Sequence, residues 1–356
     1  MFAKKILLFL IVVAVLIVGD GSVYKSIKVR ILVEPSLEFS DVWAFSEGLV
    51  RVQKDGKYGF VDKYGNIVIP LEYDYADDFS EGLARIVKDN RSGYIDKIGN
   101  IIIPLDYDAG ILAGDFFRNG LVPVRKSGKW GIINRTGEIV IPFIYDHAWN
   151  FSEGLASVEK DDKCGFIDET GDIVIPFIFD HARNFREGLA RVRIGDFRTG
   201  KCGFIDKSGE IIVPLEYDYA YDFNEGLAMV CIGDFPEGKY GFIDKTGEIV
   251  IPIIFDEAWN FSEGLAAVKI GGRYNGKYGY ISYINKIGTV IVPLEYEKTY
   301  GFSEGLAAVQ KDGKRGFIDK NNNIIVPIEY DYAYDFSDGL AWVKKDGLWG
   351  ILEIVK

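Results

Sequence analysis

The fold is decided by the stretch FSEGLVRVQKDGKYGFVDKYGNIVIPLEYDYADD, residues 45–78. Short runs of β-branched and aromatic residues alternate in it with tight-turn signals, a pattern typical of a meander of strands. In chain order it contains a first strand at 49–52, a hairpin turn at Asp55-Gly56, a second strand through Phe60 and Val61, a tight turn at 62–65 and a third strand at 67–69, which Pro70 ends. The stretch therefore predicts a three-stranded antiparallel unit followed by a short connection.

The same unit recurs along the chain. Its opening phrase, Phe-x-x-Gly-Leu, begins at Phe45, Phe79, Phe117, Phe151, Phe185, Phe223, Phe261, Phe302 and Phe336, at intervals of 34 to 41 residues. A second marker, the Pro that closes each apolar triplet, keeps the same intervals. A unit of this size is barely stable alone and gains stability by stacking on its neighbours. Residues 31–356 are thus predicted to form one all-β domain, a tandem array of about nine three-stranded meander repeats.

Whether the array is open or closed depends on its two ends. The domain starts with a third-strand segment at 29–33 and finishes with first and second strands at 340–352, so the ends together would complete one unit. A closed β-propeller is completed in this way. Nine short blades are many for a ring, however, and the units differ in length. The expectation is therefore an open or superhelical β-solenoid, with the closed propeller as the alternative.

The N-terminus differs from the repeats. Lys4 and Lys5 precede an unbroken apolar run, Ile6 to Val18, which is short for a membrane span. Residues 1–21 are therefore interpreted as a secretory signal peptide or a membrane anchor, and residues 22–30 as a linker. The expected location is outside the cell, or on the cytoplasmic membrane facing outward.

Charge and cysteine content exclude several classes of partner. The net charge of −12 argues against nucleic acid, and it leaves the N-terminal segment as the only expected contact with a membrane. Cys164, Cys202 and Cys231 are odd in number and form no CxxC pair, so neither a disulfide framework nor a zinc site is expected. We interpret them as small buried apolar residues.

The second strand of the unit carries a family signature. Trp130-Gly131 and Trp349-Gly350 have a Trp-Gly pair, Tyr58-Gly59, Tyr240-Gly241 and Tyr278-Gly279 are close variants, and Ser92, Cys164, Cys202 and Arg315 replace the aromatic residue. Over nearly the whole of residues 31–356 the chain resembles the WG-repeat family of bacterial proteins. The resemblance implies a bacterial β-repeat module and supplies no catalytic residues.

Acidic residues recur at three places in the unit. One stands in the turn after the second strand, at Asp62, Asp96, Asp168, Asp206, Asp244 and Asp319, where Asp accepts hydrogen bonds from its own turn. The others follow the third strand, as at Asp74, and precede Gly-Leu, as at Glu47. Such regular recurrence indicates a role in the fold. One turn Asp per unit is too sparse for a calcium column, and a repeated set singles out no pair of glycosidase carboxylates.

One column varies while its neighbours stay constant. Two residues before the conserved Phe stand Trp43, Asp77, Trp149, Arg183, Tyr221, Trp259, Tyr300 and Tyr334. Trp, Tyr and Arg are enriched at binding hot spots, and aromatic rings can also stack on sugars. The alternative is that these rings pack against the adjacent unit. His147 and His181, two residues upstream in neighbouring units, lack the further ligands that a metal site needs.

These features predict a binding or scaffold protein of the bacterial envelope or exterior, with no enzymatic activity, cofactor or metal. Its expected partner is a protein or a polysaccharide. One alternative is a carbohydrate-active enzyme on a propeller, for which the irregular third unit, 109–119, is the place to search. The other is a purely structural spacer.

Overall fold

The chain folds into a closed β-propeller of nine blades. The structure is a computed structural model that describes residues 27–110, 116–196, 198–233, 237–270 and 281–355. Nine separate antiparallel sheets follow one another along the chain, and eight of them have four described strands. Across these residues every element is a strand, and no helix is long and apolar enough to cross a membrane. The predicted signal peptide or anchor, residues 1–21, lies outside the described residues.

The first blades are built as follows. Blade 1 consists of β2 (Asp41–Ser46), β3 (Leu49–Lys54), β4 (Lys57–Val61) and β5 (Ile67–Tyr73). Blade 2 consists of β6 (Tyr75–Ala76), β7 (Leu83–Lys88), β8 (Arg91–Asp96) and β9 (Ile101–Asp108). Blade 3 has the described strands β10 (Leu121–Lys126), β11 (Lys129–Asn134) and β12 (Ile139–Tyr145). Blade 4 consists of β13 (His147–Ala148), β14 (Leu155–Lys160), β15 (Lys163–Asp168) and β16 (Ile173–Phe179).

The remaining blades repeat this order. Blade 5 consists of β17 (His181–Ala182), β18 (Ala190–Ile194), β19 (Lys201–Ile205) and β20 (Ile211–Tyr217). Blade 6 consists of β21 (Tyr219–Ala220), β22 (Ala228–Ile232), β23 (Lys239–Ile243) and β24 (Ile249–Phe255). Blade 7 consists of β25 (Glu257–Ala258), β26 (Leu265–Lys269), β27 (Ile281–Asn285) and β28 (Val290–Tyr296). Blade 8 consists of β29 (Lys298–Thr299), β30 (Leu306–Lys311), β31 (Lys314–Asp319) and β32 (Ile324–Tyr330). Blade 9 consists of β33 (Tyr332–Ala333), β34 (Leu340–Lys345), β35 (Leu348–Val355) and, from the other end of the chain, β1 (Lys28–Leu37).

The ring is closed by β1. We call the strand positions A to D, from the short strand next to the central channel to the outer edge. β1 takes position D of blade 9, pairing antiparallel with β35 from Lys28 opposite Val355 to Leu37 opposite Trp349. Across the same seam the Phe45 ring of blade 1 stacks on Trp342 of blade 9, with centroids 5.8 Å apart. A propeller closed in this way has no exposed end.

The prediction of an open solenoid of three-stranded repeats was therefore wrong on two points, and the propeller alternative describes the topology. The missed fourth strand is strand A, which is only two residues long in most blades, as in Tyr75–Ala76. Its sequence was interpreted as a connection because a two-residue strand shows no alternation. Closure was missed because it joins residues at opposite ends of the sequence. β1 also begins at Lys28, inside the segment interpreted as a linker.

The blades pack through one repeated pair of rings. In seven of the nine blades an aromatic residue of strand C contacts the Phe that follows strand A of the next blade, and blades 3 and 9 have Ile132 and Ile351 at this position. The ring centroids lie 4.7 Å apart for Phe60–Phe79 and 4.8 Å apart for Phe204–Phe223. All four rings are at most 3% exposed. Burial of these pairs between sheets supplies the stacking energy that the isolated unit lacks.

The Gly of the Trp-Gly signature has a steric cause. At Gly59 a Cβ atom would lie 2.6 Å from the Ile69 carbonyl oxygen, and at Gly203 it would lie 2.4 Å from the Val213 carbonyl oxygen. Strand D thus crosses directly over this position. In blade 7 the pairing of Val268 with Ser282 puts a serine at this position. Tyr278-Gly279, interpreted as a variant of the signature pair, lies outside the described residues.

Candidate functional site

The two faces of the ring differ in their connections. The B–C turns and the D–A connections share one face, which we call the mouth face. Asp74, in a D–A connection, links two blades there. Its carboxylate accepts a hydrogen bond from Lys57 Nζ at 2.6 Å and another from the amide of Asp89, in the B–C turn of the next blade, at 2.9 Å. The bond from Lys57, with help from the Asp89 amide, lowers the pKa of Asp74. Asp146, Asp180 and Asp331 bind a lysine and a turn amide in the same way.

The opposite face, which we call the turn face, carries the A–B and C–D turns. Glu47 Oε2 accepts a hydrogen bond from the Gly82 amide of the next blade at 3.1 Å. Ser46 Oγ donates to the Phe79 carbonyl at 2.7 Å, and the equivalent Ser337 donates to Phe45 at 2.9 Å across the closing seam. The acids before Gly-Leu thus tie neighbouring blades together.

The predicted turn acids lie on this face, between strands C and D. In each, Oδ1 accepts from the amides two and four residues further on; the six are Asp62, Asp96, Asp168, Asp206, Asp244 and Asp319. At Asp168 the Thr170 hydroxyl also donates, and that bond is the main cause of its lowered pKa. Within the residues described, no three His, Cys, Asp or Glu side chains converge in a way that would hold a metal ion.

The variable column lies at the inner end of every described blade. Its residues directly follow strand A and remain bonded to strand B, as where the Trp149 amide donates to the Ser157 carbonyl at 3.0 Å. Trp43 belongs to the column in register, because Val42 pairs with Val52 as Ala76 pairs with Ile86. In blade 3 the equivalent position is 115, which lies outside the described residues.

Four of the eight column residues, in blades 1, 2, 8 and 9, contact other side chains of the protein. The Arg51 guanidinium lies 4.3 Å from the Trp43 ring centroid, and Arg85 forms an ion pair with Asp77 at 3.2 Å. Arg315 lies 5.1 Å from the ring of Tyr300. These column residues are only half-exposed.

Tyr334 belongs to the same group. Its ring stacks near Trp349, with centroids 5.9 Å apart, and its hydroxyl lies 3.5 Å from Asp41 Oδ1 across the closing seam. In blades 1, 2, 8 and 9 the column residue thus contacts a side chain of its own blade, and Asp77 and Tyr334 also reach the adjacent blade, at Arg51 and Asp41.

Three consecutive blades differ. Arg183 in blade 5 is exposed, and Tyr221 in blade 6 and Trp259 in blade 7 are each 40% exposed. We call these three residues the open sector. The same blades have lengthened B–C turns on the mouth face, at 195–200, 233–238 and 270–280, whereas two residues suffice in blade 4. Exposed column residues and long turns thus coincide on one side of the ring.

The sector is bordered by a stack of rings from blades 3 and 4. His147 lies between Trp130 and Trp149, with centroid distances of 4.8 and 4.1 Å, and the Arg183 guanidinium lies 6.0 Å from the Trp149 ring. Burial, followed by the positive charges of Arg183 and Arg125, lowers the pKa of His147. The histidine is therefore neutral at pH 7 and serves as part of an aromatic wall.

The sequence did not reveal the contacts of the arginines on strand B near the inner ends of the blades. Arg51 donates to the Ala76 carbonyl of the next blade, and Arg191 donates to Ala220 in the same way at 2.6 Å. Each also lies near an acid that follows the column, Asp78 at 3.2 Å and Asp222 at 3.6 Å. The only sequence signal for these contacts was an Arg two residues after Gly-Leu. The position of a residue on a strand does not by itself show which blade its side chain contacts.

The equivalent acid in blade 9, Asp335, is half-buried, and its buried Oδ1 has no hydrogen-bond partner among the described residues. Burial, opposed by Arg315, raises its pKa to about 6. Asp335 thus favours folding at low pH, and this contribution is lost as the pH rises through about 6. Blades 4 and 5 carry Asn150 and Asn184 at this position.

Replacing Asp335 by Asn is therefore expected to stabilise the protein at alkaline pH. The shift predicts a gain of about 2 kcal/mol in unfolding free energy at pH 8 and almost none at pH 4. Urea unfolding of Asp335→Asn and the parent at both pH values measures the gain. An equal effect at pH 4 and pH 8 would contradict the assignment of the burial cost to the charged carboxylate.

The irregular third unit borders a cavity on the turn face. The cavity has a volume of about 310 Å³ and includes Phe116, Arg118, Glu81 and Glu153 in its lining. Its two carboxylates are the inter-blade ties of blades 2 and 4, bonded to the Gly120 and Gly188 amides at 2.9 and 3.1 Å. Residues 111–115 of this unit lie outside the described residues.

Comparisons with known proteins agree with this architecture. The profile of the WG containing repeat matches nine segments: residues 30–58, 58–91, 93–130, 130–164, 165–196, 203–234, 240–274, 281–314 and 316–349. A search of curated proteins found no match. The crystal structure of a eukaryotic initiation factor superposes with a TM-score of 0.60 at 11% identity, over 84% of this chain and 89% of that one. Kluyveromyces lactis Hsv2 gives 0.38 at 10% identity, over 78% and 95%. At such identities the first likeness concerns the fold alone, and the second is too low to support an argument.

Proposed function

Since this chain belongs to the WG containing repeat family, we propose that it is a binding or scaffold protein rather than an enzyme, and that its open sector holds a protein or an extended polymer. The observation that carries the proposal is the coincidence in blades 5 to 7. There the column residues Arg183, Tyr221 and Trp259 are exposed, and there the turns of the mouth face are lengthened.

The chemistry of the open sector supports this use. Arg, Tyr and Trp combine large contact area with directional polar groups, which is why they dominate binding hot spots. The blades beneath them are fixed by ring pairs and by inter-blade ties, so the three side chains stand on a rigid frame. A ligand that spans three blades can make the same kind of contact on each.

We also propose that the protein works at the cell envelope or outside the cell. The support is the apolar run from Ile6 to Val18, together with the place where the described chain begins. Lys28 pairs with Val355, and the Ile354 amide donates to the Gly339 carbonyl in an A–B turn, so β1 starts at the turn face. A tether preceding Ile27 would leave the mouth face pointing away from the membrane.

The test is a triple variant, Arg183→Ala with Tyr221→Ala and Trp259→Ala, immobilised and exposed to protein and polysaccharide fractions of a bacterial envelope extract. A component retained by the parent is expected to bind the variant at least about tenfold more weakly, because hot-spot truncations cost 1 kcal/mol or more each. The variant is expected to unfold at the same urea concentration as the parent.

A matched triple variant provides the control. Tyr64→Ala, Ile98→Ala and Ile287→Ala remove exposed side chains, 55%, 74% and 77% exposed, from turns on the opposite face. They are expected to leave capture unchanged. Equal capture by both triple variants would refute the open sector as the binding face, and no capture by the parent would favour a structural spacer.

A further inference from the structure

We infer that Arg183 receives a carboxylate of an acidic polysaccharide, whose sugar rings stack on the neighbouring aromatic side chains of the open sector. This inference rests on the proposed function and names the class of its ligand. The argument starts from the guanidinium, which differs from the other arginines at the inner ends of the blades.

The other inner arginines are already satisfied. Arg85 pairs with Asp77 and donates to the Gly110 carbonyl at 2.7 Å. Arg193 is buried and holds the long turn of blade 5 through the Asp196 and Gly200 carbonyls, at 3.0 and 3.2 Å. Arg183, in contrast, is exposed and forms no ion pair with any carboxylate of the described residues. Its guanidinium lies over the ring of Trp149.

The inner ends around Arg183 lack acidic residues, although the chain has a net charge of −12. The inner-end residues of blades 4 and 5, 147–150 and 181–184, read HAWN and HARN and contain no acid. Acids stand at the inner ends of other blades, at Asp41, Asp77, Asp222, Glu257 and Asp335. An anionic group is therefore attracted to this part of the rim and repelled from most of the remainder.

The geometry of an arginine fits a carboxylate. Its planar guanidinium donates two parallel hydrogen bonds to the two oxygens, which gives direction as well as charge. The cation–π contact of Arg183 with the Trp149 ring, 6.0 Å from its centroid, limits the freedom of the guanidinium, so less conformational entropy is lost when a ligand binds.

The aromatic neighbours favour a sugar over a peptide. A peptide anchor is normally buried in a desolvated pocket, whereas Tyr221 and Trp259 are 40% exposed. A pyranose presents an apolar C–H face that can lie on such a ring. A uronic acid unit carries that face and a carboxylate together, which is the combination that Arg183 and its aromatic neighbours can contact.

The test uses polygalacturonate and its fully methyl-esterified form, which share one backbone and differ in charge. Isothermal titration of the full chain is expected to show binding of polygalacturonate, and binding of the ester at least about tenfold weaker. Arg183→Gln is expected to weaken polygalacturonate binding by a similar factor, and Arg183→Lys to restore only part of it. Arg186→Gln removes an exposed arginine of the same blade from the opposite face and is expected to change binding by less than about twofold.

Each other result overturns a stated part. Equal binding of the ester, or an unchanged Arg183→Gln variant, would refute the carboxylate contact. Equal binding of poly-L-glutamate would refute the sugar. If polygalacturonate does not bind but an envelope component is still lost from the open-sector triple variant, this inference fails and the proposed function stands. If no such component exists either, both fail.

Discussion

A chain that begins at Glu38, and so lacks β1, is expected to lose about 5 kcal/mol or more of unfolding free energy. β1 covers β35, where Trp349, Ile351 and Leu352 are at most 3% exposed. Exposing a large apolar side chain costs about 1.5–3 kcal/mol, and the ring would also lose the closure of blade 9. Thermal unfolding followed by far-ultraviolet circular dichroism measures the change, and size-exclusion chromatography detects association through the opened edge.

The matched control begins at Ile27 and keeps the whole of β1. It is expected to unfold at the temperature of the full chain, because the pairing with β35 starts at Lys28. If the chain that begins at Glu38 melted at that same temperature, blade 9 would be stable with three strands, and closure by β1 could not be an important source of stability.

Replacing Phe204 by Ala is expected to cost about 3–5 kcal/mol, the usual loss when a buried aromatic ring is truncated. Phe204 is fully buried, and its ring meets Phe223 of the next blade. The change leaves a cavity between two sheets whose backbones are held by inter-blade ties, so little collapse can fill it. Urea unfolding monitored by circular dichroism gives the free energy.

Tyr221→Ala is the matched control for Phe204→Ala, since it removes an aromatic ring from the neighbouring blade. Tyr221 is 40% exposed, so its loss is expected to stay within about 1 kcal/mol. Similar losses for the two variants would mean that Tyr221 belongs to the core, and the open sector would then lose one of its three members.

The repeat was readable from the sequence because each of its markers has a local physical cause. Pro70 cannot donate to a sheet, Asp55-Gly56 fits the backbone of a tight hairpin, and both recur with the unit. The position of the column was also readable, since it is fixed by the distance to the conserved Phe. Trp43 lies in register with the others.

The division of the column into packed and exposed members could not be predicted in this way. Trp43 and Trp259 occupy equivalent positions, yet Arg51 covers the first ring and the second is 40% exposed. The covering side chain comes from another strand, and its direction depends on the pairing between strands. The lengthened B–C connections did give a sequence signal, but they became informative only once the column residues of the same three blades proved to be exposed.

The pairing of Lys28 with Val355 means that the first and last strands of the described chain start and end side by side. A short peptide could bridge these two points and make the backbone circular, and fresh ends could then be opened within a two-residue hairpin such as Asp161-Asp162. The blade at which the chain starts is therefore not fixed by the fold. A permuted chain would keep the same two neighbours for every blade.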